Sequence, residues 1–299
     1  MGRATVEKEI QVVISQIGKS KIENQQSKLS IILLTHNEQK HLRACLASVR
    51  AFADELLVLD DYSTDDTVAI ARELGARVES RKLDNFPNQR NAAIELARGD
   101  WIFFIDADER ATPALGKEIR EKTVDCRPLT VDRQSSSSVV GRRSSVGFWI
   151  PRRNIIFGKE IRHTGWSPDY QPRVLKKGFA RFDPAREVHE LVLWDGAVGY
   201  LREPLIHYNY ETLAQFRKKQ IVYTRYEAQV WHAEGKRARW RGAVGQPLRE
   251  FLRRYISLQG WRDGGHGLLL SALMAHYAFI RWRMLREMQI SPLGGKIEV

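Results

Sequence analysis

A chain of 299 residues with 43% apolar and 28% charged residues has ample length for a full core, which excludes a wholly disordered or collagenous protein. Two cysteines, Cys45 and Cys126, exclude a disulfide framework and a four-thiolate zinc site, and no apolar run reaches the ~18 residues of a spanning helix. The net charge of +12 is uneven: residues 201–299 hold 17 basic and 8 acidic side chains against 31 and 28 in residues 1–200, which points to an anionic partner for the C-terminal third.

Residues 1–28 are polar, lack the apolar stretch and cleavage site of a secretory signal, and are expected to form a mobile arm. An alternation then begins. The run at 29–34 (LSIILL) reads as a strand buried on both faces. Leu42, Cys45, Leu46 and Val49 follow at helical spacing. Residues 55–60 (ELLVLD) are a second strand, and Ser63 or Asp65 can cap the next helix, which Gly75 can end. A short strand at 76–80, a helix at 88–98 and a buried strand at 101–105 (WIFFI) complete the pattern. Strand–helix–strand repetition with short connections predicts an α/β fold: a Rossmann-like, mostly parallel sheet with helices on both faces. Residues 123–147 are rich in Ser and Arg and predict a flexible insertion. Strand-like segments return at GFWIPR and ARFDPAREVHELVLWDG, and from about residue 211 the pattern is helical and basic.

In an open parallel sheet, ligands bind beyond the carboxyl ends of the strands. There the sequence puts Thr35-His36-Asn37-Glu38, then Asp60-Asp61, then Asp106-Ala107-Asp108-Glu109. No glycine-rich phosphate loop follows the first strand, which counts against a nucleotidyltransferase. In Asp106-Ala107-Asp108 the two carboxylates stand at i and i+2, so on extended backbone they share a face. With a diphosphate they make an oxygen-rich site for Mg²⁺ or Mn²⁺. The carboxylates also argue against nucleic acid as the partner, since they would repel its phosphates. His163 and His207 show no metal-ligand spacing, and zinc is not expected.

LSIILLTHNE, LLVLDDYSTDDT, NQRNAA and GDWIFFIDADE, in this order, resemble the donor-binding half of family 2 glycosyltransferases, which have the GT-A fold. Together with GWSPDYQPRVLKKG, EVHE, LIHYNY and FLRRYISLQGWRDGGHGLLLS they are similar to bacterial lipopolysaccharide-core β-1,4-glucosyltransferases. The resemblance implies a GT-A domain over 29–210 and a helical extension over 211–299. It implies an inverting transfer from a nucleotide-sugar, UDP-glucose, to a lipopolysaccharide-core or other lipid-linked glycan. Transfer to a polyprenyl phosphate is the alternative.

Carried over by position, Thr35, Asn37 and Glu38 contact the nucleoside, Asp60 the base with Asp61 beside it, and Arg90 and Asn91 the base, ribose or phosphate. Asp106 then meets the ribose and Asp108 the metal. The base that deprotonates the acceptor is expected at Glu190 of Glu187-Val188-His189-Glu190, with His189 the other candidate. Arg152, Trp166 and Arg173 are expected at the acceptor, where aromatic rings stack on sugars and guanidinium groups hold phosphate. The run at 267–280 is too short to span a bilayer, and Arg253, Arg254, Arg262, Arg281, Arg283 and Arg286 bracket it. It fits either an interfacial helix on anionic lipid or a core helix with basic ends. With a lipid acceptor, the expected place of work is the cytoplasmic face of the inner membrane, as a peripheral protein.

Overall fold

The computed structural model describes residues 27–124, 145–186 and 191–290. The expected N-terminal arm falls almost wholly outside these residues. Most of the expected insertion does too, and so do Glu190 and His189.

Four parallel strands form one half of the sheet: β1 (Leu29–Thr35), β2 (Glu55–Asp60), β3 (Arg77–Ser80) and β4 (Trp101–Phe104). Their side chains alternate between two apolar layers. Leu29, Ile31, Leu33, Val58, Trp101 and Phe103 face α1 (Gln39–Val49), α2 (Thr67–Glu73) and α4 (Pro113–Val124). Ile32, Leu57, Leu59, Ile102 and Phe104 face α3 (Phe86–Leu96). Trp101, Phe103 and Phe104 are almost wholly buried. Burying each large side chain contributes roughly 1.5 to 3 kcal/mol. The stripe of Leu42, Cys45, Leu46 and Val49 is the buried face of α1, as its spacing predicts.

Local chemistry fixes the element ends. The Asp65 carboxylate accepts from the Thr67 N–H at 3.0 Å, so α2 starts there, and Gly75 ends it at φ +77°. Helix α3 begins two residues before the expected start, because the Asn85 side chain accepts from the Asn88 N–H and Pro87 occupies the first turn. Gly99 has no room for a side chain: a Cβ there would lie 2.7 Å from both the Lys28 carbonyl oxygen and the Ser30 nitrogen. That close approach brings the chain from α3 back beside β1.

Beyond β4 the sheet is mixed. The order is β3-β2-β1-β4-β8-β6-β12-β5, with β5 (Glu109–Arg110), β6 (Gly147–Ile156), β8 (Asp169–Lys176) and β12 (Leu205–Tyr210). Strands β7 (Lys159–Ile161) and β11 (Val198–Tyr200) pair with β6, and β9 (Ala180–Phe182) with β10 (Val192–Trp194) make a separate ribbon. Strand β8 runs antiparallel to β4 and β6, whereas β6 runs parallel to β12 and β11. The expected α/β sheet with helices on both faces is thus found, wholly parallel in its first half and mixed in its second.

Three helices close the chain: α5 (Leu213–Ala233), α6 (Gly242–Leu252) and α7 (Gly265–Ile290). Thr212 and Gln215 form a reciprocal capping box at the start of α5. A third apolar cluster, including Ile156, Tyr210, Phe216, Leu270 and Tyr277, seats α5 and α7 on the sheet edge. The run at 267–280 therefore has a core face, with Leu270, Ser271, Tyr277 and Ala278 buried, while Leu268, Leu269 and Phe279 are exposed. Among the described residues no helix is long and apolar enough to cross a membrane.

Candidate active site

A cleft of about 740 Å³ opens at the carboxyl end of β4, between the D-x-D turn and α5. Glu38, Arg90, Asp106, Asp108, Arg152 and Trp166 all line it, as do His207 and Lys219. A second hollow of about 340 Å³ shares Arg90, Asp106 and Arg152 with it and reaches Trp149, Tyr170 and Phe182.

The turn is tied from within. The Glu109 N–H donates to the Asp106 carbonyl at 2.9 Å, and the Asp106 N–H donates back to the Glu109 carboxylate at 2.9 Å. Glu109 is fully buried, so its charge needs partners. Arg173 supplies one at 2.7 Å and Arg152 another at 3.3 Å. Arg173, itself buried, also grips Asp106 with both terminal nitrogens. Burial disfavours ionisation of Asp106, but Arg173 and Arg90 outweigh it and hold the carboxyl well below its usual range. The Arg173 guanidinium is thus the counter-ion of two carboxylates, and it also lines the second hollow. Arg152 is similarly engaged, donating to Asp169 at 2.8 Å, yet it faces both hollows.

Asp108 is placed differently. Its Oδ2 lies 3.6 Å from His207 Nε2 and 3.9 Å from Lys219 Nζ. Burial disfavours its charge, and His207 and Lys219 outweigh that and hold the carboxyl below its usual range. The Asn154 amide fixes the imidazole. Its NH₂ donates to the Trp166 carbonyl at 2.8 Å and to Asp169 at 3.0 Å, so its oxygen faces His207 Nδ1 at 2.7 Å. Nδ1 therefore carries a proton, and in the neutral ring the Nε2 lone pair points toward Asp108. At 3.6 Å apart, Asp108 Oδ2 and His207 Nε2 are spaced so that both could ligate one cation. Among the described residues no three His, Cys, Asp or Glu side chains cluster as a metal cage. One carboxylate and one imidazole suit an ion that completes its shell with substrate phosphates and water.

Glu38 stands across the cleft. Burial and then the repulsion of Asp108 push its carboxyl up to about 6, with Lys219 opposing. Arg90 lies over the rings of Phe104 and Phe182, at 5.1 and 5.3 Å, with a terminal nitrogen 3.8 Å from Asp106. Trp166 packs edge-on against Tyr210, and its indole N–H has no partner among the described residues.

The remaining expected donor residues organise loops. Asp60 is buried and accepts from the Thr35 hydroxyl at 2.8 Å and from the Ser63 N–H and hydroxyl at 2.7 and 2.6 Å. Asp61 accepts from the Leu83 N–H at 2.9 Å. Asn37, at φ +56°, accepts from the Thr64 N–H at 2.9 Å. Asn91 exchanges two hydrogen bonds with the Phe182 backbone, at 2.9 and 2.8 Å, and so fastens β9 to α3. Lys219 and Asn154 escaped the sequence reading, and His207 was set aside there for want of metal-ligand spacing. His207 reaches the D-x-D turn only because β12 pairs with β5, setting His207 opposite Glu109.

A parallel sheet whose strand end presents a D-x-D turn to a polar cleft, flanked by a mixed second half, defines a GT-A glycosyltransferase. The comparisons with known proteins agree. Residues 30–208 match the glycosyl transferase family 2 profile, and the chain belongs to that family. It is similar to the lipopolysaccharide core biosynthesis glycosyltransferase LpsC of Rhizobium meliloti, 27% identical with 84% of this chain and 89% of that one covered. It is also 26% identical to an uncharacterized glycosyltransferase, RC0292, of Rickettsia conorii, over 87% and 90% of the two chains. Among solved structures, the Mycobacterium tuberculosis glucosyl-3-phosphoglycerate synthase in complex with Mn²⁺, UDP and glucosyl-3-phosphoglycerate is 28% identical over 31% of this chain. The match covers 38% of that protein with a TM-score of 0.27.

Proposed function

We propose that this glycosyltransferase moves glucose from UDP-glucose, with inversion, to a lipid-linked glycan of the lipopolysaccharide-core type, at the cytoplasmic face of the inner membrane. The observation that carries the donor half is the meeting of Asp108, His207, Lys219 and Arg90 on one cleft. Asp108 and His207 would hold a divalent ion, Mg²⁺ or Mn²⁺, whose chemistry is to neutralise the diphosphate as it departs. Lys219 adds a further positive charge on that side of the cleft. Asp106, Thr35, Asn37, Asp60, Asp61 and Asn91 shape the donor loops, with the Asp106 carboxylate turned toward the ribose. Asp60, buried and accepting from Thr35 and Ser63, would hold the loop against which uracil lies.

The transfer is a single displacement. The acceptor oxygen attacks the anomeric carbon, the bond to the diphosphate breaks, and the acceptor proton passes to a base. Glu190 takes that proton, and His189 is the control. Arg152 and Trp166 hold the acceptor sugar in the hollows beside the turn. The acceptor class is supported by the likeness to a lipopolysaccharide core enzyme over most of both chains.

The test is thermal unfolding with UDP-, GDP- and CMP-sugars, with and without Mn²⁺. UDP-glucose with Mn²⁺ should stabilise most. Tighter binding of GDP than UDP overturns the donor assignment, and full turnover in EDTA overturns the metal. Glu190→Gln should keep nucleotide binding and lose on the order of 10² to 10⁴ in turnover. Near-normal turnover at saturating acceptor would remove Glu190 from its role and favour a phosphate acceptor, which needs no base.

A further inference from the structure

The outer face of α6 carries an apolar ridge with nothing among the described residues packed on it. Trp240, Val244, Leu248, Leu252 and Ile256 recur every fourth residue, and Trp261 follows. Their exposures are 76%, 72%, 54%, 42%, 59% and 57%, the reverse of what these residue types do in a folded chain. The ridge runs through the π-helical turn Arg253–Ser257 that continues α6. The opposite face of the same helix meets the protein: Gly242 lies against Trp282, and Arg254 donates to the Thr164 carbonyl at 2.7 Å. So the exposed apolar side is not simply the fold's own packing face turned outward.

Charge decides what covers the ridge. Between Lys236 and Arg262 the sequence has eight basic residues and one acidic residue, Glu250. Glu250 is only 20% exposed and is paired with Arg253 and Arg254. Arg237, Arg239, Arg241, Arg249 and Arg262 are exposed beside the ridge. An apolar stripe with tryptophan at both ends and arginines alongside is the pattern of a helix lying in a membrane interface, its rings at headgroup depth and its cations on anionic lipid. Position fits as well. A small cavity walled by Glu250, Arg253 and Arg254 of this segment shares Tyr223 and Glu227 of α5 with the active-site cleft.

We infer that the α6 ridge, Trp240 to Trp261, is the surface by which the enzyme docks on an anionic phospholipid bilayer. This rests on the reading of the acceptor as lipid-linked, and it moves the membrane contact from the 267–280 run, half of which is core, to the preceding helix. A bilayer held here lies beside the cleft that receives the acceptor.

The experiment is sedimentation of the full chain with phosphatidylglycerol or phosphatidylcholine vesicles, without nucleotide or acceptor. Wild type should pellet with phosphatidylglycerol, bind phosphatidylcholine about tenfold or more weakly, and release only partly in high salt. Leu248→Asp/Leu252→Asp should lose about tenfold or more in binding to phosphatidylglycerol vesicles, while its stabilisation by UDP-glucose is unchanged. Arg241→Glu/Arg249→Glu should lose the preference for anionic lipid. Wild type staying in the supernatant, or Leu248→Asp/Leu252→Asp pelleting like wild type, overturns the proposal. So does a concentration-dependent dimer that this variant abolishes, since a second copy would then cover the ridge. A failure of the donor reading appears separately, as absent stabilisation by UDP-glucose in a protein that still binds vesicles.

Discussion

The sheet edge and the C-terminal helices break the usual rule of burial in opposite directions. At the D-x-D turn, charged side chains are drawn inside: Glu109 and Arg173 are at most 4% exposed. On α6, apolar side chains are left outside, Trp240 at 76% and Val244 at 72%. Each inversion disfavours the isolated molecule unless something offsets it. Inside the turn the offset is internal, because Arg173 and Arg152 neutralise Glu109 and Asp106. On the ridge nothing in the described residues provides it. A charge cluster that is complete in itself is a scaffold that holds another group in place. An apolar face that is incomplete in itself is made for a partner.

The first way to break this contrast is to remove the internal counter-ion. Arg173→Met leaves a fully buried Glu109 with Arg152 at 3.3 Å as its remaining cationic partner among the described residues. Unpairing a buried ion pair costs about 3 to 5 kcal/mol. The urea midpoint should fall accordingly, and donor binding with it. A loss under about 1 kcal/mol would mean that Arg173 is not what neutralises the turn.

Asp108, whose carboxylate lies in the cleft beside His207 and Lys219, should behave in the reverse way. Asp108→Ala should leave the unfolding midpoint of the free protein nearly unchanged. It should abolish the Mn²⁺-dependent part of the stabilisation by UDP-glucose, about 2.7 kcal/mol for wild type at ~100 times the dissociation constant. Retained Mn²⁺-dependence in this variant would assign the ion to another residue.

The contrast also explains what the sequence disclosed. The parallel half was legible because its signals are local: LSIILL, ELLVLD and WIFFI are short apolar runs between turn residues, and the α1 stripe recurs at helical spacing. Most of the second half was not, because β5, β7 and β12 carry few apolar residues in a row and are strands only through long-range pairing. The site divided in the same way. Asp106 and Asp108 were legible from one tripeptide after a buried strand. His207 was not, since nothing in LIHYNY says that it will lie opposite Glu109. The α6 ridge was written in the chain at every fourth residue, in a stretch whose helical pattern was legible, but which face the fold would leave open was not.

Glu38 gives a subtler contrast, because its charge is opposed rather than neutralised. Its folded value of about 6 lies above the ordinary 4.5, so the fold favours the neutral carboxyl. A raised value contributes stability that is fully present below 4.5 and lost as pH rises through about 6. In EDTA and without nucleotide, Glu38→Gln should match wild type near pH 4. Near pH 8 it should exceed it by about 1 to 2 kcal/mol, after allowing for solvent screening. Equal stability at both pH values would place Glu38 in an unperturbed environment.

The smallest effect is the most discriminating for the ridge. If α6 faces lipid, its outer side chains make no packing contribution to the fold of the free protein, and Leu248→Asp/Leu252→Asp should shift the unfolding free energy by about 1 kcal/mol at most, the helix-propensity difference. Leu252 is 42% exposed and Leu248 54%, so no cavity forms when they are replaced. The aspartates also stand among arginines, which screen the new charge. A buried residue of the same region sets the scale. Trp282, 6% exposed, donates its indole N–H to the Arg239 carbonyl at 2.9 Å, and Trp282→Ala should cost about 3 to 5 kcal/mol. Chemical denaturation of the two variants side by side separates the faces of the helical region. A loss above about 2 kcal/mol for the leucine pair, more than the lower helix propensity of two aspartates accounts for, would show that protein already covers the ridge.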